Sequence, residues 1–536
     1  MRALAVLFGG KLTEYAFKPL FGGKSALDLA LERAGAFPGV EKRVLLTGPG
    51  FDALARTAAL RLPGDVALVP GSFATARELL ATLAALGAGF GLTYYAWADT
   101  PFLDGGIAAA LAERHRRYAA EYSYADGWPY GLAPELLAPG VAGVLARLAE
   151  NARLPLGGAV NRETLFEVIQ KDINAFDIEA EISPVDLRQY RLSLAADSKR
   201  NTLLLTRLAE AGLAGSTDGA ASVERIITER PGLLRTLPAF YAIETASACP
   251  QDCAFCPWPA SRPEGGENGF MAVERFSALL DKITAFSGDA VIDLSLWGEL
   301  SLHPEKMRLI EAVLARETLS LIIETSGLGW TEGELEAAAD LASRAAWSRR
   351  PWLAPAEKLS WVVSLDAAAP ARYGAVRGAG FDEAVETAKR LVRLFPDSAY
   401  VQALRVAGAE DDIERFYRFW KDAAGEDRII IQKYDDFAGA LPSRKAADLS
   451  PVERRPCWHL MRDMCVFIDG RVPRCREDLA AIAPAGGAAD GGILGNAFSE
   501  DLAAIWERGA ACYQSHAGGD YPGICAGCDE YYTFNF

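Results

Sequence analysis

YAIETASACPQDCAFCPWP, residues 241–259, carries three of the nine cysteines of this 536-residue chain within eight positions. Tyr241–Thr245 is predicted to be a short strand, and Cys249, Cys253 and Cys256 follow it in a loop with the spacing C-x3-C-x2-C. Clustered cysteines bind soft metals, and a [4Fe-4S] cube normally takes four thiolates. Three local thiolates would leave one iron open to another molecule. Zinc is the competing interpretation, although its usual sites combine two separated pairs of Cys or His ligands.

The region after this loop alternates apolar runs with helical patterns, which indicates parallel βαβ units and a barrel-like sheet. The predicted strands are Val291–Leu296, Leu319–Glu324, Lys358–Leu365, Ala399–Val406 and Arg428–Gln432. The predicted helices between them are Ala272–Phe286, Pro304–Arg316, Thr331–Ala345, Phe381–Phe395 and Asp411–Ala424. Sites in such folds lie at the carboxyl ends of the strands. Candidate polar residues follow those ends: Gly298, Glu299, Ser364 and Asp366.

The cysteine triplet, with Phe255 before its last member, resembles the signature of the radical S-adenosylmethionine (SAM) superfamily. The resemblance implies a catalytic [4Fe-4S] cluster whose open iron binds SAM, which is cleaved to methionine and a 5′-deoxyadenosyl radical. It also implies the residues that contact SAM, with Phe255 beside the adenine: Phe255, Gly298, Glu299, Ser364 and Asp366. Trp297 stands where the superfamily usually has the first glycine of a Gly-Gly-Glu run. A structural role is the alternative for Glu299, as a helix cap, and for Ser364, as a strand end.

Past about residue 445 the alternation stops and six cysteines appear: Cys457, Cys465, Cys475, Cys512, Cys525 and Cys528. The segment 466–472 is predicted to be a hairpin with an Asp-Gly turn, and 525–528 is a C-x2-C pair. This tail resembles the SPASM/Twitch extension of radical SAM enzymes. The resemblance implies one auxiliary [4Fe-4S] cluster bound by Cys457, Cys475, Cys525 and Cys528, with Cys465 as the substitute ligand and Cys512 free. Zinc bound by the same four thiols is the alternative.

The first third of the chain has a Rossmann-like α/β pattern: a buried strand with a Gly-rich turn in Met1–Gly10, and a later strand ending near Asp99. This region resembles nucleotidyltransferases of the GT-A-like fold, especially cytidylyltransferases. The resemblance implies a nucleotide and Mg²⁺ site at Gly9, Gly10, Lys18 and Asp99. The second metal-binding carboxylate of that family would fall at Ala195, so we expect a binding or scaffold role rather than active transfer. We hypothesise that this domain presents a nucleotide-linked or sugar-like substrate.

Composition sets further bounds on function. A formal net charge of −16 argues against general binding to nucleic acid or anionic membranes, and no apolar run reaches transmembrane length. Clustered cysteines fit a reducing cytoplasm. The expected fold is α/β with three domains: 1–236, a Rossmann-like nucleotidyltransferase fold with a helical connector; 237–444, a partial (β/α)6 TIM-like barrel; and 445–536, a small Cys-rich SPASM-like domain.

This arrangement as a whole resembles the spiro-SPASM proteins. The chain is therefore interpreted as a radical SAM enzyme that acts on a peptide, a protein or a nucleotide-linked small molecule, with electrons from an external donor such as flavodoxin or ferredoxin. Two alternatives remain at this point. One is a non-catalytic iron–sulfur electron carrier or scaffold, and the other is a bifunctional enzyme with active nucleotidyl transfer.

Overall fold

The computed structural model describes residues 2–58, 60–151, 154, 158–213, 219–258, 269–347, 357–481 and 492–533. The chain divides into two compact units, Met1–Thr236 and Leu237–Phe536. Among the helices of these described ranges, none is both long enough and apolar enough to cross a membrane.

The first unit is built on a mixed sheet. Its strands are β1 (Ala3–Gly9), β2 (Pro19–Phe21), β3 (Lys24–Ser25), β4 (Val40–Thr47), β5 (Val66–Pro70), β6 (Leu92–Trp97), β7 (Tyr122–Asp126), β8 (Glu135–Leu137) and β9 (Ile178–Ile182). Seven of them form one sheet in the order β5-β4-β1-β6-β8-β7-β9, and β2 pairs with β3. The central strand β1 is buried along its whole length, as its unbroken apolar sequence requires between parallel neighbours.

Eight helices are described in this unit. They are α1 (Ala26–Gly35), α2 (Phe51–Thr57), α3 (Ala76–Gly87), α4 (Gly105–Arg117), α5 (Val141–Asn151), α6 (Thr164–Ile169), α7 (Lys199–Glu210) and α8 (Gly219–Glu229). Local sequence sets where they begin: Ser25 and Asp28 form a reciprocal capping box at the start of α1, and Asp104 caps α4. Between β6 and α4, the chain turns at Asp99.

The second unit is built on a parallel sheet. Its strands are β10 (Phe240–Ile243), β11 (Ala290–Asp293), β12 (Leu319–Thr325), β13 (Leu359–Ser364), β14 (Ala399–Arg405), β15 (Ile429–Lys433), β16 (Asp463–Val466), β17 (Arg471–Pro473) and β18 (Ile493–Asn496). The sheet order is β15-β14-β13-β12-β11-β10-β16, and every pairing in it is parallel. Consequently all seven strands end at the same edge.

Helices connect these strands and follow them into the tail. They are α9 (Val273–Ser287), α10 (Lys306–Leu314), α11 (Glu332–Arg344), α12 (Pro370–Val376), α13 (Phe381–Leu394), α14 (Glu410–Ala424), α15 (Trp458–Arg462), α16 (Leu502–Arg508) and α17 (Ala510–Ala517). The predicted helices and strands of this region have counterparts within a few residues. The short helix α12 has no counterpart among the predicted elements, and it proves to be part of the site.

Alternate residues of the strands face opposite sides of the sheet. Tyr241 and Ile243 of β10 lie in the main core with the helices, whereas Phe240 and Ala242 lie in a second apolar cluster. Residues from all seven strands, including the edge strands β15 and β16, line one cavity on this second side. The sheet must therefore curve around that cavity, and this side is called the concave face below.

The sequence predicts a hairpin over 466–472, and this prediction is wrong about which strands pair. The Asp-Gly turn does form, with the Phe467 N–H donating to the Arg471 carbonyl at 2.9 Å. However, β16 adds in parallel to the edge of β10, and β17 pairs antiparallel with β18. An unpaired β10 edge would leave a row of backbone groups without partners, and β16 satisfies it. The sequence predicts six strands in this sheet, and the tail supplies a seventh.

Candidate functional site

Cys249, Cys253 and Cys256 lie on the loop that follows β10, at the carboxyl edge of the parallel sheet. The Cys256 N–H donates to the Cys253 carbonyl at 3.0 Å, which folds the loop into a tight turn. Burial, with a smaller contribution from the charge of Cys256, raises the pKa of Cys249 to about 11 and that of Cys253 to about 12. The three thiols are therefore close neighbours in a partly desolvated loop.

The distances between these three sulfur atoms distinguish a zinc ion from an iron–sulfur cluster. A tetrahedral zinc ion with Zn–S bonds of about 2.3 Å holds its sulfur ligands about 3.8 Å apart. Within the described part of the chain, the group of three metal-binding side chains that meets a 4.8 Å spacing lies in the tail, and not among Cys249, Cys253 and Cys256. The loop is therefore too open for one ion and fits a wider, multi-iron group.

Helix α12 fastens the cysteine loop from outside. The Ala254 N–H donates to the Val376 carbonyl at 2.9 Å. Arg377, which follows this helix, is buried and donates from Nε to the Gln251 side-chain oxygen at 2.8 Å. The Gln251 amide in turn donates to the Tyr373 hydroxyl at 2.6 Å. These contacts join loop positions to a helix more than a hundred residues away, so no local sequence pattern could have revealed them.

Asp366 belongs to the same hydrogen-bond network, through Arg377. It adopts a left-handed backbone conformation, with φ +59°, directly after β13. One carboxylate oxygen accepts from the Leu404 N–H at 2.6 Å, and the other accepts from Arg377. The sequence predicts Asp366 as a SAM-contacting residue. In this structure both carboxylate oxygens have protein partners, so Asp366 also holds the cysteine loop in position, and its contact with SAM stays a prediction. The guanidinium of Arg377 lies 5.7 Å from the ring of Phe255, the residue predicted to lie beside adenine.

Gly298 brings a second loop against the cysteine loop. Its φ is +75°, and a Cβ placed there would lie 1.9 Å from the Ala246 carbonyl oxygen. The next N–H, that of Glu299, donates to the Ala248 carbonyl at 2.7 Å. Only glycine fits this approach. Trp297 does not prevent it, because its indole turns away to stack on Trp258 with ring centres 5.6 Å apart.

Glu299 is a buried clamp between two strand ends. One carboxylate oxygen accepts from the Thr325 hydroxyl at 2.7 Å, and the other accepts from the Ser326 N–H at 2.7 Å. Burial raises the pKa of this carboxyl group even though these donors lower it. The predicted contact of Glu299 with SAM stays a prediction, since in this structure both carboxylate oxygens accept from protein donors. The side chain ties the loop after β11 to the end of β12.

Three polar side chains form a cluster on the concave face. The Ser364 hydroxyl donates to Glu324 Oε1 at 2.6 Å, and the Gln402 amide donates to the same oxygen at 2.8 Å. The Gln402 amide also lies 3.1 Å from the Ser364 hydroxyl oxygen. These residues belong to three consecutive strands, β12, β13 and β14. Ser364 is the predicted site residue of this cluster, whereas Glu324 and Gln402 are not among the predicted site residues named above.

Glu324 and Gln402 line a cavity of about 400 Å³ inside the curved sheet. Its sheet side also carries Asp293, whose pKa is raised to about 7 by burial and by the charge of Glu324. Its other wall comes from the tail and includes Cys465, Arg474, Cys475 and Arg476. Cys256 and Trp258 pack against the apolar residues of the same face. The cavity therefore adjoins the cysteine-rich tail, and the apolar cluster that lines part of it also contacts the cysteine loop.

The four predicted auxiliary ligands are neighbours in the tail. Burial, with a smaller contribution from the charge of Cys525, raises the pKa of Cys457 to about 12. The charge of Cys457 in turn raises the pKa values of Cys475 and Cys528. Cys465 also acts on Cys475, so it lies on the same side of the group. Within the described residues no three of these four thiols meet the 4.8 Å spacing, so by the same criterion this donor set fits an iron–sulfur cluster better than zinc.

Cys512 is not the isolated thiol that the sequence predicts. Its sulfur, a ring nitrogen of His516 and the sulfur of Cys525 all lie within 4.8 Å of one another. The sequence contains a signal for this contact, since Cys512 and His516 are four residues apart and share one face of a helix.

In the first unit, the residues predicted to bind a nucleotide and Mg²⁺ make contacts within the protein. Gly9 ends β1, and a Cβ on Gly10 would lie 2.6 Å from the Phe8 ring. The Lys18 ammonium lies over the Tyr15 ring, 4.2 Å from its centre. Asp99 is buried, and both of its oxygens accept from Arg162, at 3.1 and 2.8 Å.

A second carboxylate does lie beside Asp99. Asp197 Oδ2 accepts from the same Arg162 nitrogen at 3.0 Å, so the expectation of a missing acidic partner, based on Ala195, is wrong by two positions. The guanidinium occupies the space between the two carboxylates. A divalent ion needs those oxygens as ligands. The residues present therefore do not fit Mg²⁺ at this point, because Arg162 already supplies the positive charge.

Several solved structures are similar to parts of the chain. Streptococcus suis SuiB bound to precursor peptide SuiA aligns with 53% of this chain and 68% of that chain, at a TM-score of 0.39 and 13% identity. BtrN in complex with AdoMet and 2-DOIA aligns with 55% of this chain and 94% of that chain, at a TM-score of 0.35 and 16% identity. A cytidylyltransferase from Leptospira borgpetersenii serovar Hardjo-bovis (strain JB197) aligns with 44% of this chain and 96% of that chain, at a TM-score of 0.35 and 16% identity.

Sequence comparison gives closer relatives. No established protein-family profile matches the chain. One Treponema pallidum (strain Nichols) protein, described as an uncharacterized protein, is 40% identical over 86 residues, which are 16% of this chain and 39% of that protein. Another protein of the same organism and description is 39% identical over 381 residues, which are 69% of this chain and 98% of that protein. The chain therefore belongs to the same protein family as this second Treponema pallidum protein.

Proposed function

We propose that this protein is a radical SAM enzyme. The observation that carries the proposal is the loop with Cys249, Cys253 and Cys256, at the carboxyl edge of a parallel sheet and beside a polar cavity. Three thiols in a spread too wide for one ion suit a [4Fe-4S] cluster with one iron left open. When bound and reduced, such a cluster supplies the electron that cleaves SAM to methionine and a 5′-deoxyadenosyl radical.

The protein's own contribution is to hold this loop rigid and to shape the cofactor's space. Gly298 lets a second backbone segment approach the cysteine loop, and this segment is the one proposed to meet the amino acid end of SAM. Phe255, beside Arg377, offers an aromatic face for the adenine. Ser364 and Gln402 present hydrogen-bonding groups one strand apart, suited to ribose hydroxyls. The hydrogen bonds that join Gln251, Arg377 and Asp366 hold the cysteine loop in a fixed position relative to the strand ends.

The cavity on the concave face is the proposed substrate site. Its volume of about 400 Å³ suits a small molecule or one side chain of a peptide. Its lining carries both signs of charge, with Asp293 and Glu324 facing Arg474 and Arg476. Such a lining favours a polar substrate that offers both donors and acceptors. Asp293, with its pKa near 7, can also give or take a proton at neutral pH.

An auxiliary [4Fe-4S] cluster held by Cys457, Cys475, Cys525 and Cys528 is part of the proposal. Cys475 lines the cavity, so a group bound there would adjoin the substrate. Four protein ligands favour electron relay over direct binding of substrate. The first electron would come from an external donor such as flavodoxin or ferredoxin.

The test is reductive cleavage of SAM. The full chain is purified anaerobically, reconstituted with iron and sulfide, and incubated with dithionite and SAM, and 5′-deoxyadenosine is quantified. We expect product from the wild type and from the matched control Gly333→Ala, whose Cβ would meet no atom within 4 Å. We expect none from Cys253→Ser. Iron-loaded wild-type protein that forms no 5′-deoxyadenosine would instead support the electron-carrier alternative.

For the first unit we infer a nucleotide-binding or scaffold role without active transfer. Nucleotidyl transfer relies on a metal ion at the reacting phosphates, and Arg162 fills the space between Asp99 and Asp197. Isothermal titration with CTP and with CDP-sugars, with and without Mg²⁺, tests this role. Binding that does not depend on Mg²⁺ would support it. Release of pyrophosphate from CTP and a sugar acid would contradict it.

A further inference from the structure

Helix α17 and the C-x2-C loop bring together a second set of metal-binding side chains. Cys512 and His516 are one helical turn apart, and Cys525 lies in the short turn Gly523–Ala526. Their ligand atoms all lie within 4.8 Å of one another. Tetrahedral zinc separates its ligand atoms by about 3.3–3.8 Å, so small side-chain movements would close this group around one ion.

The environment of His516 points independently to a ligand. The residue is only 2% exposed, and neither ring nitrogen makes a hydrogen bond of normal geometry, although the Cys525 thiol is close enough for its pKa to be lowered by the imidazole. Its ring is covered on one side by the edge of Tyr521, with ring centres 4.9 Å apart. A buried polar atom without a partner costs about 1–3 kcal/mol, and a metal bond would remove this penalty. A histidine kept for packing alone would not need both nitrogens desolvated beside two thiols.

The chemistry of the group selects the kind of metal. Two thiols and an imidazole are borderline-soft donors, and Cys₂His with one open position is a known zinc arrangement. Binding of Zn²⁺ would release the two thiol protons, leave the imidazole neutral and change no oxidation state. The group is also compact, unlike the wider loop of Cys249, Cys253 and Cys256.

We propose that Cys512, His516 and Cys525 form a mononuclear Zn²⁺ site that shares Cys525 with the auxiliary cluster. The sharing rests on the cluster ligands proposed above, whereas the ion site itself does not. When the Cys525 thiolate binds the ion without bridging to iron, the cluster is left one ligand short. Zinc and iron therefore compete for the tail, and metal supply selects which form of the protein is present.

The test uses two variants with opposite expected effects on the full chain. Apo protein is titrated anaerobically with Zn²⁺ against a chromophoric chelator, and with Co²⁺ to record thiolate charge-transfer absorption. His516→Gln should bind one tight ion fewer than the wild type, or bind it at least tenfold more weakly. It should still take up the full iron complement on reconstitution. Cys528→Ser should keep the ion and lose the auxiliary iron. Thermal unfolding of each apo variant verifies that it is folded.

Two further measurements test whether the ion site and the auxiliary cluster share Cys525. Cys512→Ser should reproduce the ion loss of His516→Gln, which guards against an effect of the histidine on folding. Wild-type protein preloaded with Zn²⁺ should take up one cluster less than untreated protein. Wild-type ion affinity in both variants would overturn the site. Parallel loss of auxiliary iron in His516→Gln would overturn it as well, because the histidine would then serve the cluster. Cleavage of SAM depends on other cysteines, so failure here leaves that activity intact.

Discussion

Gly298→Ala should separate the two loops that form the proposed cofactor site. The residue has φ +75°, and its Cβ would lie 1.9 Å from the Ala246 carbonyl oxygen and 3.0 Å from that of Ala248. The obstacle is backbone on both sides, so no side-chain rotation can relieve it. One of the two segments must move, and the hydrogen bond from the Glu299 N–H to Ala248 would then break.

The magnitude follows from three contributions. A left-handed conformation costs a non-glycine residue about 1–2 kcal/mol. Overpacking against fixed atoms adds about 1–3 kcal/mol, and loss of the backbone hydrogen bond adds about 1 kcal/mol. The free energy of unfolding should therefore fall by about 3–6 kcal/mol, unless the cysteine loop moves and absorbs part of the strain. In that case the loss appears as reduced binding of iron and SAM.

The assay pairs urea unfolding with iron content and SAM binding after reconstitution. Gly333→Ala is the control, because Gly333 lies in helix α11 with open space around it and should gain up to about 1 kcal/mol. If Gly298→Ala loses less than about 1 kcal/mol and also binds iron and SAM as the wild type does, the close approach of the two loops has no functional weight and the reasoning is refuted.

Three other changes probe buried charges. Arg377→Met should lower the free energy of unfolding by about 3–5 kcal/mol and reduce iron in the catalytic set, because it leaves the buried Asp366 carboxylate without its cation. The double variant with Asp366→Asn should recover most of the stability in urea unfolding, because asparagine tolerates the left-handed conformation and keeps an acceptor for the Leu404 N–H. Burial raises the pKa of Asp293 from 3.8 to about 7, so the folded state holds its proton longer and loses stability as pH rises from 4 through 7. Asp293→Asn should remove that decline, with a ceiling of about 4 kcal/mol above pH 7, and an unchanged stability–pH profile would refute the shift. Arg162→Met should destabilise the first unit by about 3–5 kcal/mol at pH 7, because it leaves two buried carboxylates without their cation, and less at pH 5, because burial raises the pKa of Asp197 and favours its protonation; equal losses at both pH values would contradict this.

Local patterns in the sequence predict much of the second unit. The alternation of strands and helices from residue 290 onward has its counterpart in β11–β15 and the helices between them, because apolar period and length are properties of short segments. The position of Cys249, Cys253 and Cys256 after a strand also follows from local sequence. Gly298 is predictable as well, although the carbonyl that requires it is more than fifty residues away.

Contacts between distant residues account for what the sequence could not predict. Arg377 meets Gln251 across 126 positions, and no periodicity relates them. The strand β16 was predicted in a hairpin because the Asp-Gly turn is a strong local signal, yet the free edge of β10 determines its pairing. Asp197 replaces the carboxylate expected at Ala195, since a two-residue shift in a loop is invisible without coordinates.

The central claim is that Cys249, Cys253 and Cys256 hold a cluster with an iron open to SAM. The most direct measurement is electron paramagnetic resonance of the reduced, reconstituted Cys457→Ser/Cys475→Ser variant, in which the auxiliary ligands are incomplete. We expect a remaining reduced [4Fe-4S] signal that changes when SAM is added, because SAM binds the open iron. A variant that retains no iron, or whose signal is the same with and without SAM, would contradict the account.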